Sequence, residues 1–437
     1  MIVLKPKIIL TMDKQDRIIK DGYIGIENGK ISYIGDKKPQ DADELIYLDN
    51  YLAIPGLINS HTHVAMTILR GLKDDVDLTT WLTKYIFPAE SKLDPDDVYY
   101  GSLLGMMELI SSGVTTLNDM YYFEERIADA TLKIGMRSML SRGILDLVSE
   151  DRSPETELKN SNDFLNYLKK LWNTKPDAKE YVFFAYGPHA PYTCSKELLQ
   201  LIREEATKNG FRIHIHLSET KWELEEIKRR TGMTPIEYLD SIGFLKDDVM
   251  AIHVVWPTEE DINILARRNV KVVHNPISNM KLASGFSPVP KMLEKGITVG
   301  LGTDGPASNN RLDMFREMHT AAIIHKGYHL DPKIMSAKTV LKMATIWGAE
   351  VLGLSDRIGS LEVGKFADIV FIDLKNTLQA HPYHDIYSMI VYALDSSAIK
   401  HVMIGGKWVY KDGEFSHISK DEILEKVESI RHSIINE

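Results

Sequence analysis

Between Leu57 and Asp304 the chain alternates β-like runs with helix-like ones, and few folds accept that pattern. The runs are Leu57–His63, Val114–Met120, Arg137–Ile144, Tyr181–His189, Arg212–Glu219, Val249–His253, Lys271–Asn275 and Thr298–Asp304. Helix boundaries between them are readable. Asp94 before Pro95 reads as an N-cap with proline at the first helical position, and Gly113 suits the stop. Thr234-Pro-Ile-Glu237 is a capping box, and Thr258 opens another helix. Strands alternating with crossover helices build a parallel sheet. Eight such units predict an α/β fold of the (β/α)₈, TIM-barrel type.

The two ends of the chain have a different texture. Asn28-Gly29 joins Tyr23–Glu27 to Lys30–Ile34 in a hairpin pattern, and Gly405-Gly406 joins His401–Ile404 to Lys407–Tyr410. Ala367–Asp373 reads as a further strand. Neither end can bury much core alone, so both are expected to form one small β-sandwich domain, 1–56 with 360–437, beside a barrel over 57–359. A length of 437 residues suits that organisation. With 44% apolar and 26% charged residues, the composition is that of a globular chain. The net charge of -10 argues against nucleic acid as a partner. No uncharged apolar run reaches 18 residues, and Met1–Lys5 lacks the layout of a signal peptide, so no membrane role is expected. The lone Cys194 excludes an internal disulfide and a Cys-rich zinc site. A cytoplasmic enzyme is expected, with a homo-oligomer left open.

Histidine is not scattered evenly along this pattern. Seven of the fifteen lie at or near the ends of the predicted strands: His61, His63, His189, His214, His216, His253 and His274. In a (β/α)₈ barrel those ends form the active face. His61 and His63 share one side of their strand by period-2 alternation, and two imidazoles supply half the shell of a zinc or iron ion. His216 lies nearer the mouth than His214 and reads as a ligand, leaving His214 a supporting role. Glu219, three residues on, could reach a water on the metal or simply sit near the next helix start. His253 in an apolar run needs a partner. Asp304, flanked by glycines, completes three histidines as a fourth ligand, or holds the water. That donor set keeps a position for water, as catalytic sites do. The fourth strand carries no lysine to bridge two ions, so one metal per chain is expected.

These residues resemble the amidohydrolase superfamily, and within it the methylthioadenosine/S-adenosylhomocysteine deaminases. The resemblance is carried by Pro55–His63, Gly187–Tyr192, His216–Glu219, His274–Leu282 and Gly302–Asn310, with Gly359–Asp368 as the return to the small β-domain. It implies that His61, His63, His216 and Asp304 bind zinc, iron or manganese, with Asp304 also in the catalytic set. Glu219 is then the proton shuttle and His253 positions the attacking hydroxide. Trp81, Glu90, Arg142 and His189 match substrate-contacting positions. Glu90 would hold ribose hydroxyls, Arg142 would face the 5′ substituent, and Arg152 is the candidate second arginine. The implied reaction converts an adenine nucleoside, a small-molecule substrate, to its inosine analogue plus ammonia. The Pro-Cys-x-x-Cys motif of cytidine-deaminase-type zinc sites is absent. Two alternatives stand beside this: another amidohydrolase, such as a guanine or triazine-type hydrolase, and an inactive barrel scaffold.

Overall fold

The structure, a computed structural model, describes residues 1–76, 78–149 and 151–435. Its first strands are β1 (Ile2–Leu10), β2 (Ile18–Lys20), β3 (Tyr23–Glu27), β4 (Lys30–Gly35) and β5 (Glu44–Pro55). Eight parallel strands follow: β6 (Leu57–Thr62), β7 (Val114–Tyr121), β8 (Arg137–Ile144), β9 (Val182–Pro188), β10 (Arg212–Leu217), β11 (Val249–His253), β12 (Lys271–His274) and β13 (Val299–Leu301). They lie side by side in chain order, as a barrel requires. Each overlaps the strand expected from sequence, with ends shifted by at most three residues.

Closure between β13 and β6 relies largely on side chains. Thr303 N donates to Asn59 Oδ1 at 3.0 Å, and Asn59 Nδ2 donates to Thr303 Oγ1 at 2.8 Å. Asp304 N donates to His61 O at 3.0 Å, which sets the end of the last strand against the end of the first. Helix starts fall where the caps predict. Asp94 caps Pro95–Ser111, Thr234 caps Pro235–Ser241 and Thr258 caps Glu259–Arg267, each as a reciprocal capping box.

The termini meet in one nine-stranded mixed sheet, completed by β14 (Ile369–Asp373), β15 (Ile399–Ile404), β16 (Lys407–Lys411) and β17 (Glu414–Phe415). Both expected hairpins form. Asn28 and Gly29 take φ 51 and 77, and Gly405 and Gly406 take φ 56 and 74, the left-handed pairs a tight hairpin needs. The twelve-residue β5 is a finding the sequence reading lacked, because Asp49-Asn50 in its middle looks like a turn. It joins the two ends of the chain, pairing in parallel with β1 and antiparallel with β14. The sheet encloses its own core, with Leu4, Ile9, Ile24, Leu361, Ile369 and Phe371 buried together.

Two features fasten this sheet to the barrel. Gly56 alone separates β5 from β6, and a Cβ there would come within 2.0 Å of Thr115 Oγ1, so only glycine fits. Arg137, fully buried at the start of β8, grips Asp368 with Nε and Nη2 at 2.7 and 3.0 Å. Asp368 also accepts Gly405 N at 2.7 Å. A buried fork of this kind is strongly destabilising to break, because it leaves an unpaired charge inside. The helix Lys420–Ile435 packs on Pro95–Ser111. Among the described residues, no helix is long and apolar enough to cross a membrane.

Candidate active site

Beyond the C-terminal ends of the barrel strands, several side chains converge. The backbone there turns abruptly: Ser218, His253, Val254 and Asp304 adopt φ of 52, 75, 44 and 61. Non-glycine residues rarely accept the left-handed region, and such strain gathers at functional sites.

The ligand nitrogens of His61, His216 and His253 lie within 4.8 Å of one another, as do the ligand atoms of His61, His63 and Asp304. Hydrogen bonds behind them fix which nitrogen faces the centre. Ser141 Oγ gives its only hydrogen to Asp119 O at 2.6 Å, so His214 Nδ1 must donate to Ser141 Oγ, at 2.8 Å. His214 Nε2 is then an acceptor and receives His61 Nδ1–H at 2.9 Å. His61 Nε2 is left bare, buried and without a hydrogen-bond partner. His63 Nδ1 donates to Met120 O at 2.6 Å and His216 Nδ1 to His189 O at 2.9 Å, which bares their Nε2 atoms too. Histidines that ligate metals are held this way, by a partner on the other ring nitrogen.

For two of the three rings the charges agree with that arrangement. Burial drives His61 down to about 3 and His216 well below the usual imidazole range, so both stand neutral. For His63 burial acts in the same sense, but the neighbouring Asp304 outweighs it and lifts the ring to about 9. Asp304 Oδ1 stands 3.2 Å from His61 Nε2 and 3.3 Å from His63 Nε2. Despite burial, His61 and His63 hold its carboxyl well below the ordinary carboxylate range. Its other oxygen accepts Ser278 Oγ at 2.5 Å and Ser308 Oγ at 3.0 Å. Once His63 gives up its proton, three imidazole nitrogens and one carboxylate oxygen are a donor set that fits zinc or a neighbouring divalent ion.

Glu219 lies across from this cluster. Its Oε2 is 3.7 Å from His253 Nε2, its Oε1 accepts Ser284 Oγ at 3.2 Å, and burial raises its pKa. The neighbouring helix Lys221–Thr231 is capped by Thr220, so Glu219 has no capping task. Instead Glu223 accepts Ser218 N and Glu219 N, both at 2.8 Å, and fixes the turn that presents Glu219. His253 Nδ1 lies 2.8 Å from Asn279 Oδ1.

A cavity of about 100 Å³ rises from this floor and is lined by His63, His216, Glu219, His253 and Asp304, with Trp81, Glu90 and His189 on its walls. Burial lifts the Glu90 carboxyl to about 7, the Tyr121 hydroxyl beside it pulling the other way. Burial likewise lowers His189 to about 4. Trp81 is anchored by its indole N–H on Lys73 O at 3.0 Å.

The two expected arginines are near Tyr122, a wall of the cavity, without lining it themselves. Ser141 points inward to His214 and Gly143 lines the cavity, so period-2 alternation turns Arg142 to the other side of β8, towards Tyr122 and Glu124. Arg152 sits 3.5 Å from Glu157 and donates to Leu145 O at 3.4 Å. Neither arginine is among the cavity-lining residues. His274 turns outward as well, with Nε2 3.2 Å from His325 Nε2. Ser141, Glu223 and Asn279 escaped the sequence reading. Only the parity of Ser141 with Met139 and Gly143 in β8 could have pointed to one of them.

A barrel with a histidine-rich floor at its strand ends defines a class, and comparison with known proteins agrees with it. Residues 52–409 match the model of the amidohydrolase family, and the chain belongs to that family. It is 42% identical, over 99% of both chains, to a 5-methylthioadenosine/S-adenosylhomocysteine deaminase of Thermodesulfovibrio yellowstonii. It is 46% identical to a 5'-deoxyadenosine deaminase of Methanocaldococcus jannaschii, covering 93% of this chain and 94% of that one. Among solved structures, an adenosine deaminase from Xanthomonas campestris with bound zinc superposes with a TM-score of 0.93 at 32% identity, covering 100% of this chain and 99% of that one.

Proposed function

We propose that the chain hydrolytically deaminates an adenine nucleoside, releasing ammonia and the inosine analogue, with 5′-deoxyadenosine, 5′-methylthioadenosine, S-adenosylhomocysteine and adenosine as the substrate range. One observation carries the reading: three bared imidazole nitrogens face Glu219 at the floor of a cavity whose wall holds Glu90. His61, His63, His216 and Asp304 would hold one divalent ion, zinc foremost, with iron or manganese as alternatives. Such an ion supplies Lewis acidity that makes water acidic enough to react near neutral pH.

The side chains do the rest. Glu219, with its raised pKa, takes a proton from the attacking water and delivers it to ring N1, which makes C6 electrophilic. A second delivery, to the amino group, lets ammonia leave. His253, with Nε2 3.7 Å from Glu219 Oε2, would orient the attacking oxygen. Glu90 would bond ribose hydroxyls, while Trp81 and His189 would bound the base. The closed floor keeps bulk water away from these charges, where they act more strongly. The same reading takes 57–359 as the catalytic barrel, 1–56 with 360–437 as the small β-domain, and the cytoplasm as its setting.

Ammonia release from adenosine, 5′-deoxyadenosine, 5′-methylthioadenosine, S-adenosylhomocysteine and guanine tests this directly. Turnover of the adenine nucleosides is expected. Turnover of guanine alone would move the chain to another branch of the family.

A further inference from the structure

Three loops meet on one lysine beside the catalytic cavity. Lys281 closes the helix Pro276–Lys281 that follows β12. Its ammonium donates to Asp74 Oδ1 and to Asn310 Oδ1. Asn310, in the left-handed region at φ 67, caps the C-terminal end of the short helix Pro306–Asn309 after β13. Its Nδ2 donates to Asp74 Oδ2 at 3.4 Å. Asp74 belongs to the connection that follows β6, so the three side chains bond pairwise in a closed triangle. A second tie runs alongside. Arg70 Nη1 donates to Asn310 O at 2.6 Å, and Glu108 Oε1 accepts Arg70 Nη1 at 3.2 Å and Leu312 N at 2.9 Å.

What the triangle holds is a wall of the site. Beyond Asp74, the helical turns Leu78–Trp81, Leu82–Ile86 and Phe87–Glu90 give the cavity Leu78, Trp81, Leu82, Ile86, Phe87 and Glu90. The residue next to Asp74 makes the link. Lys73 O accepts the Trp81 indole N–H at 3.0 Å, and Lys73 Nζ lies 5.6 Å from the centroid of the Tyr85 ring. A shift of Asp74 therefore carries the acceptor of Trp81 with it. The backbone here needs restraint, because Asp75 takes φ 60, a region non-glycine residues rarely adopt. The Lys281 hydrogen bond also holds the Asp74 carboxyl below its usual range, so Asp74 meets the ammonium as a carboxylate.

We infer that Lys281 is a positioning residue for substrate binding: through Asp74 and the Lys73 carbonyl it fixes the wall that carries Trp81 and Glu90. The inference rests on the deaminase reading and extends it to a residue outside the cavity lining. A wall that grips base and ribose acts on bound substrate and transition state alike. Its loss therefore appears in KM, with kcat steady.

The test is steady-state deamination of 5′-deoxyadenosine, an uncharged substrate, by the metal-loaded protein and its Lys281→Met, Asp74→Ala and double variants. Each single variant is expected to raise KM about tenfold, the scale of one charge-assisted hydrogen bond, with kcat and metal content unchanged. The double variant should lose no more than the worse single, because both break one route. The pair is 29% and 32% exposed, so salt reaches it. Added sodium chloride should raise the wild-type KM and leave that of Lys281→Met alone. A lowered melting temperature with KM unmoved would make the pair merely structural and overturn the inference. Additive losses in the double variant, a fall in kcat alone, or loss of the metal would overturn it too, while deamination stands. Absence of turnover on every adenine nucleoside overturns the parent reading, and this role with it.

Discussion

The floor and the mouth of this barrel are built on opposite principles. At the floor every candidate group is held from behind: His61 by His214 and Ser141, His63 by the Met120 carbonyl, His216 by the His189 carbonyl and Asp304 by two serines. At the mouth, Trp222 at the start of the helix Lys221–Thr231, and Trp256 and Val148 on loops, stand half-open beyond the strands, with apolar surface in place of a polar network. Chemistry needs donors fixed to fractions of an ångström, whereas the approach to a site needs surface without demanding partners. Substitutions should therefore cost steeply at the floor and in a graded way at the mouth.

The largest expected effect lies at the floor. His216→Ala removes one bared Nε2 and should abolish both metal retention and deamination, read by elemental analysis and ammonia release. Glu219→Gln should keep the metal and lose ~10²–10⁴ of the rate, since it removes proton transfer alone. Loss of metal in that variant would place Glu219 among the ligands. The pH profile sharpens the same point. Burial raises the Glu219 pKa, and the residue must be ionised to accept a proton, so kcat/KM should fall as pH drops through that raised value. The acid limb should vanish in Glu219→Gln; its persistence there would assign the limb to another group.

One layer back, Ser141→Ala removes the acceptor of His214 Nδ1–H and frees the orientation of His61. A loss of about 10–100-fold in metal affinity or activity is expected. An unchanged metal affinity would show that His61 is held without this relay. The smallest effect is expected from Arg142→Ala. It does not line the cavity, so kcat/KM on S-adenosylhomocysteine should change by less than about threefold, as for substitutions away from a contact. A selective tenfold loss on that substrate would return Arg142 to the mouth and blur the contrast drawn here.

The same contrast explains what could be read from sequence. The floor was legible because strand alternation and barrel topology together place strand-end residues: His61, His63, His216, Glu219, His253 and Asp304 all reach one cavity or its rim of ligand atoms. The second layer was half-legible. His214 was expected to support the site, but its partner Ser141 carries no signal of its own. The mouth was scarcely legible. Which side of β8 Arg142 faces depends on the phase of the strand, and nothing near Arg142 in sequence sets that phase. Trp256 reaches the mouth through loop geometry, which has no period to count, and Trp222 through the placement of a helix start. In the small β-domain, β5 was obscured for a related reason, since its Asp49-Asn50 is tolerated as mid-strand polar surface.

The central claim is that His61, His63, His216 and Asp304 hold one divalent ion on which deamination depends. Its most direct test couples elemental analysis of the purified protein to ammonia release from 5′-deoxyadenosine, before chelation, after it and after zinc is restored. The account predicts about one ion per chain, activity lost with the ion and activity regained with zinc. Two tightly held ions per chain in the active protein, or full activity after the metal is gone, would contradict it.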